Sequence, residues 1–153
     1  MIVPADGDFR LDDEAHTARL GAAIGGALKK GEAVCLTGPL GAGKSVLARG
    51  LIRGLSPSER EVPSPTFTLV QFYDGPSFRL GHFDLYRLVR ADEAFEIGLD
   101  EALTQGAAVI EWAEKLAHHL PHHRLDVEIR VEDGARRARL AGHGHWEGRP
   151  IAL

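Results

Sequence analysis

Eight residues, GPLGAGKS at positions 38 to 45, carry the strongest chemical signal in this chain. Gly38, Gly43, Lys44 and Ser45 satisfy the spacing G-x-x-x-x-G-K-S/T, the Walker A or P-loop pattern. Its logic is electrostatic. Backbone N–H groups of a glycine-rich turn surround a β-phosphate at the positive end of the following helix. A lysine at position 44 reaches the terminal phosphates, and the hydroxyl of Ser45 is a ligand for Mg²⁺. Gly41, Ala42 and Gly43 let the backbone come close, and Val46 completes the set in the first helical turn. The chemistry implied is nucleotide binding with Mg²⁺.

A P-loop enzyme also needs a carboxylate to hold the metal and a group to orient the nucleophile. Two acids qualify. Glu111 ends the apolar run AAVIE, where a buried strand beside the P-loop strand delivers its C-terminal residue to the phosphates. Asp84 lies within the β-rich HFDLY segment and is the second candidate. Both therefore stand as metal-binding and catalytic acids with Lys44, and spacing alone leaves open which is the closer ligand. Pro63, Ser64, Pro65 and Thr66 form a stiff loop where a switch segment would sense a γ-phosphate; Thr66 offers a hydroxyl there, the alternative being an ordinary turn. Trp112 is either a core aromatic or a lid over the nucleotide. The run HHLPHH at 118 to 123 lacks accompanying ligands at known zinc spacings and reads as a solvated helix end. Arg136, Arg137 and Arg139 read as the outer face of the last strand.

These residues require elements to carry them. The P-loop follows a short buried strand, AVCLT at 33–37, and runs into a helical stretch, SVLARGLIRGL. An amphipathic helix is expected over 12–29, with Asp12 or Asp13 as its cap. The runs 66–73 and 78–86, separated by Asp74, Gly75 and Pro76, predict an antiparallel hairpin. Helix-prone sequence fills 91–103, and AAVIEW at 107–112 predicts a buried strand in the same sheet as 33–37, followed by a helical AEKLAHHL. Leu125, Val127, Ile129 and Val131 alternate with charged residues, predicting a strand with one wet face that turns at Asp133 and Gly134 into a partner. The fold class expected is α/β: a single P-loop NTPase-like domain over 1–153, with a mixed central sheet, flanking helices and a C-terminal antiparallel hairpin. Residues 1–10 and 142–153 are expected to be loose ends.

Composition bounds the alternatives. At 153 residues, 44% hydrophobic and 26% charged, the chain has the size and balance of one soluble domain. The net charge of −4 argues against wrapping DNA or RNA unaided, since phosphate binding needs an excess of cations. No run approaches the ~18 apolar residues of a membrane span, and the acidic N-terminus is unlike a signal peptide. Cytoplasmic location with no membrane contact is the expectation, and the single Cys35 fits a core position. A GTPase is disfavoured, because no N-K-x-D base-reading motif and no D-x-x-G switch stand at suitable positions. A small-molecule kinase would show an Arg-rich lid, and none is evident.

Taken together, GPLGAGKS, PSPTFTLVQFY, HFDLYRL, EIGLDE and VIEWAEKL resemble the TsaE (YjeE) family of bacterial P-loop ATPases, in order and spacing over about residues 10 to 140. The resemblance implies ATP with Mg²⁺, weak ATPase activity alone, and assembly with the TsaB and TsaD proteins to install threonylcarbamoyl on the adenosine beside the anticodon of tRNA. tRNA would then be met indirectly, through the complex. It implies phosphate and metal roles for Lys44 and Ser45, a switch-loop place for Thr66, and site roles for Asp84, Glu111 and Trp112. Two positions depart from the family pattern: Pro39 replaces an acidic residue, and Ser45 replaces threonine while keeping the hydroxyl. A small-molecule kinase and a nucleotide-gated assembly protein are the competing readings.

Overall fold

The computed structural model describes residues 2–57, 62, 63, 65 and 68–153. Among them a seven-stranded mixed sheet forms the spine, in the spatial order β2 (Asp6–Leu11), β8 (Ala135–His143), β7 (Arg124–Glu132), β3 (Ala33–Thr37), β6 (Gly106–Glu111), β5 (Arg79–Asp84), β4 (Val70–Asp74). β3 runs parallel to both β6 and β7, and β6 runs parallel to β5. The outer pairs β4–β5, β7–β8 and β2–β8 are antiparallel. The expected α/β class with a mixed sheet and a C-terminal hairpin is what the chain forms.

Central strands are apolar throughout because both faces are covered. On one face lie Val34, Leu36, Leu80, Val109, Leu125, Val127 and Ile129, packed beneath α1 (Glu14–Ala27) and α2 (Lys44–Leu55). On the other lie Ala33, Cys35, Phe83, Ala108 and Ile110, covered by the 85–120 stretch with Leu85, Leu99 and Leu116. That stretch contains α3 (Glu93–Glu96) and α4 (Leu99–Gln105), divided at Gly98, whose φ of 96° stops a continuous helix. Cys35 is a free, buried thiol, and burial pushes its pKa well up, so it stays protonated.

Asp13 caps α1, its carboxylate accepting from the His16 amide at 2.9 Å. The AEKLAHHL segment folds as 3-10 turns over Ala113–His119, interrupted at Ala117 with φ 51°, rather than as a regular helix. Among the described residues, no group of three or more His, Cys, Asp or Glu is placed to share a metal, so the HHLPHH run builds no such site. No helix among them is long and apolar enough to cross a membrane.

The ends correct an expectation. Residues 6–11 form edge strand β2, and β1 (Ile2–Pro4) pairs antiparallel with β9 (Pro150–Ala152). Trp146 is fully buried between them and the main core. Short β-runs cut by Gly and Pro look loose in sequence because their partners lie at the opposite end of the chain.

Candidate functional site

The P-loop leaves β3 at Thr37 and enters α2 at Lys44. Gly38, Gly41 and Gly43 adopt φ of 137°, 79° and 113°, a region that glycine visits without steric cost. At Gly38 a second constraint applies: a Cβ would lie 2.3 Å from the carbonyl oxygen of Ile129, so only glycine lets the loop pass over β7. Gly43 caps α2 with no side-chain acceptor, which leaves the first-turn amides of Lys44, Ser45 and Val46 open to an anion.

Beside the loop is a cavity of about 370 Å³. One wall is made by Gly41, Gly43, Lys44, Ser45 and Val46, another by Asp84, Tyr86, Glu111 and Trp112. Leu11, Asp13, Thr17 and the 134–136 turn close the remaining side. Gly38 and Ala42 stand behind the wall: Gly38 packs on β7 and Ala42 is fully buried. Thr66 and Ser64 lie outside the described residues.

The sheet brings the two acids together for a geometric reason. Asp84 and Glu111 are register partners at the C-terminal ends of parallel strands β5 and β6, so both side chains point to the face that α2 covers. Ser45, in the first turn of α2, donates its hydroxyl to Glu111 Oε1 at 2.8 Å. Asp84 instead accepts from the Tyr86 amide at 3.0 Å. Glu111 is therefore the acid joined directly to the P-loop hydroxyl. Hydroxyl and carboxylate oxygens suit a hard divalent cation such as Mg²⁺.

Lys44 is almost fully buried. Its Nζ donates to the carbonyls of Gly38 and Pro39, the latter at 2.9 Å, and lies 4.0 Å over the Trp112 ring. Burial pushes its pKa below the ordinary 10.5, against the upward pull of Glu114, Glu111 and Asp84. Trp112 sits in the left-handed region with φ 59°, uncommon for a bulky residue, and its ring meets that of Tyr86 at 4.9 Å between centroids.

Beyond the lining residues Leu11, Thr17 and Tyr86, His82 and Arg136 were also not apparent as site residues from the sequence. His82, buried on β5, points Nε2 at Glu111 Oε2 across 2.6 Å. Arg136, expected on the outer face, instead reaches over the P-loop and donates to the carbonyls of Ala42 at 2.9 Å and Gly41 at 3.0 Å. The strand alternation explains it: Arg136 shares a face with Ala138 and Leu140, whereas Arg137 faces the other way and pairs with Asp8.

Residues 11–139 match the family model described as "Threonylcarbamoyl adenosine biosynthesis protein TsaE". The chain belongs to the TsaE family. A TsaE from Treponema pallidum is 42% identical over 127 residues, covering 82% of this chain and 93% of that one. A TsaE from Rickettsia bellii is 37% identical over 127 residues, covering 83% and 88%. Both relatives are named tRNA threonylcarbamoyladenosine biosynthesis proteins. A crystal structure of Bacillus subtilis YdiB superposes with a TM-score of 0.75 at 29% identity, covering 94% of this chain and 88% of that one. The stretch matched to the TsaE family contains the P-loop, both acids, His82, Trp112 and Arg136.

Proposed function

We propose that this TsaE-family chain binds ATP with Mg²⁺, hydrolyses it, and so drives formation of threonylcarbamoyladenosine in tRNA in concert with TsaB and TsaD proteins. The observation that carries the reading is the Ser45–Glu111 hydrogen bond at 2.8 Å, set beneath the open amides of α2 and beside Lys44. Buried strands and a helix N-terminus converge there on a cavity large enough for a nucleotide.

In this reading the amides of residues 43 to 46 hold the β-phosphate, and Lys44 exchanges its carbonyl partners for phosphate oxygens. Ser45, with Glu111 and Asp84 through water, holds Mg²⁺, which when bound neutralises charge developing on the phosphate oxygens. Glu111 or Asp84 orients the water that attacks the γ-phosphorus. The bond from that phosphorus to the β-bridging oxygen breaks, giving ADP and phosphate. Leu11, Asp13, Thr17 and Arg136 line the end of the cavity that receives ribose and base. Trp112, its ring tilted against that of Tyr86, shields the phosphates from bulk water. Membership in a family whose members are named for tRNA threonylcarbamoyladenosine biosynthesis supports the tRNA role.

The test is steady-state ATP hydrolysis by the purified protein, alone and with TsaB, TsaD and tRNA. Turnover is expected to be slow alone and stimulated in the mixture, and to vanish in Lys44→Ala. Phosphate appearing on an added small metabolite, with no stimulation by the partners, would replace this reading with a kinase.

A further inference from the structure

We propose that His82 is the positioning residue of the magnesium site: its Nε2–H holds the Glu111 carboxylate in the orientation that meets Ser45. This rests on the Mg²⁺ role proposed for Ser45 and Glu111. His82 lies one pleat below Asp84 on β5, on the face that α2 covers. Its ring is buried, and Nε2 stands 2.6 Å from Glu111 Oε2 while the other carboxylate oxygen, Oε1, accepts from Ser45 at 2.8 Å. The carboxylate is thus held from both sides and its plane is set. An ionised carboxylate only accepts hydrogen bonds, so Nε2 carries the hydrogen.

The alternative is a core histidine that has found one acceptor. Its surroundings argue otherwise. Nδ1 of His82 is buried without a hydrogen-bond partner among the described residues, a polar atom that an aliphatic side chain such as neighbouring Leu80 would not strand. What the imidazole supplies in exchange is one donor, aimed at one oxygen of the acid joined to the P-loop. That donor has a task there. Asp84 is the cross-strand neighbour of Glu111 on the same face, and two adjacent carboxylates repel. Without a donor behind it, Glu111 is free to rotate away from Asp84 and from Ser45. Metal-binding carboxylates depend in this way on the groups that orient them.

The decisive measurement has two arms. In the first, the ring nitrogens of ¹⁵N-histidine-labelled protein are read by NMR without nucleotide. The expected result is a protonated Nε2 and a bare Nδ1 for His82, with the Nε2 signal shifting in Glu111→Gln. A hydrogen on Nδ1 with a bare Nε2 overturns the proposal, whatever the protein does with ATP. In the second, His82→Leu and His82→Gln are compared for ATP affinity in EDTA and for the Mg²⁺ concentration giving half-maximal binding of ATP, after circular dichroism has established folding. His82→Leu is expected to raise the Mg²⁺ requirement about tenfold with ATP affinity in EDTA unchanged, and His82→Gln, which keeps an N–H donor, to return it to within about threefold of wild type. An unchanged Mg²⁺ requirement in folded His82→Leu, or equal losses in both variants, overturns it. Should His82→Leu fail to fold, His82→Gln and the NMR arm decide alone. Wild-type protein that binds no Mg²⁺·ATP defeats the functional reading, and the NMR arm still reports on the His82 contact.

Discussion

Lys44 has two sets of partners to choose between. It donates to the Gly38 and Pro39 carbonyls and lies 4.0 Å over Trp112, a cation–π contact worth about 0.5–2 kcal/mol depending on how far it is desolvated. A charged phosphate offers stronger, charge-assisted hydrogen bonds than neutral carbonyls, so nucleotide is expected to draw the ammonium away from the indole. The prediction is a change in Trp112 emission on adding Mg²⁺ and ATP. The other tryptophan, Trp146, is fully buried in the core and gives a constant background, so Trp112→Phe should abolish the change. Binding seen by calorimetry with a static Trp112 spectrum would show that Lys44 does not move off the ring. The sequence left position 112 open between a core aromatic and a lid; the structure puts it in the cavity wall, and the cation–π contact depends on the left-handed turn after β6.

The α1–α2 pair shows why sequence periodicity predicts an element and not its contacts. Apolar spacing announces both helices, yet glycines inside them lower helix propensity and look like weaknesses. The packing accounts for them: a Cβ on Gly21 would lie 2.2 Å from the Leu47 carbonyl oxygen, and one on Gly50 would lie 2.3 Å from that of Ala18. The helices touch backbone to backbone. Gly50→Ala would gain about 1 kcal/mol of helix propensity and lose about 1–3 kcal/mol to overpacking against backbone that cannot step aside. Net destabilisation is expected, read as a lower urea midpoint at unchanged slope. Gly26→Ala is the contrast: nothing stands within 4 Å of its Cβ, so stability should rise, by no more than about 1 kcal/mol. If both variants shift alike, the close approach is not what retains Gly50. Because α2 carries Lys44 and Ser45, this contact also sets how the P-loop meets Glu111.

Across the whole molecule, a buried ion pair helps to tie the C-terminal segment to the core. Arg149 donates Nη1 to Glu32 Oε1 at 2.6 Å and Nη2 to Oε2 at 2.7 Å, lies over the Trp146 ring, and donates to the Ala27 carbonyl. Burial alone would raise the Glu32 carboxyl; the Arg149 hydrogen bonds, with one from the Lys29 amide, outweigh it and hold the pKa below the ordinary 4.5. A depressed carboxylate contributes stability that is present above the unfolded value and lost as pH falls through the folded one. Arg149→Ala leaves a buried carboxylate without its guanidinium partner, held only by the Lys29 amide and neighbouring His145, and is expected to cost about 3 kcal/mol near neutrality. As pH falls, the gap between variant and wild type should start to narrow above 4.5, where the burial-raised carboxyl of the variant takes up its proton, and narrow further below 4.5, where the native carboxylate does. Urea titrations at pH 7 and pH 4 check it, and a gap independent of pH would mean the loss is one of packing over Trp146 alone.

The strand, loop and helix around GPLGAGKS were determined by the sequence itself, because they rest on neighbours: a short strand with four buried residues, glycines at positive φ and a helix that begins at Lys44. Glu111 was a candidate for the same reason, since it closes a short apolar strand, whereas Asp84 stood inside a run read as 78–86 and only the fold ends β5 at it, beside Glu111. Contacts between residues far apart in sequence belonged to the tertiary structure. His82 meets Glu111 only because β5 and β6 run parallel in that register, and the ends pair only because α1 and the sheet bring residues 2–4 and 150–152 side by side. Arg136 lies between these cases. It was read as outer-face with Arg137 and Arg139, although it alternates in step with Ala138 and Leu140, and an arginine on that apolar face makes chemical sense only once the carbonyls of Gly41 and Ala42 lie above it. Local preference follows from each residue's own backbone and its nearest neighbours, whereas register and packing arise from burying surfaces that no short stretch of chain contains.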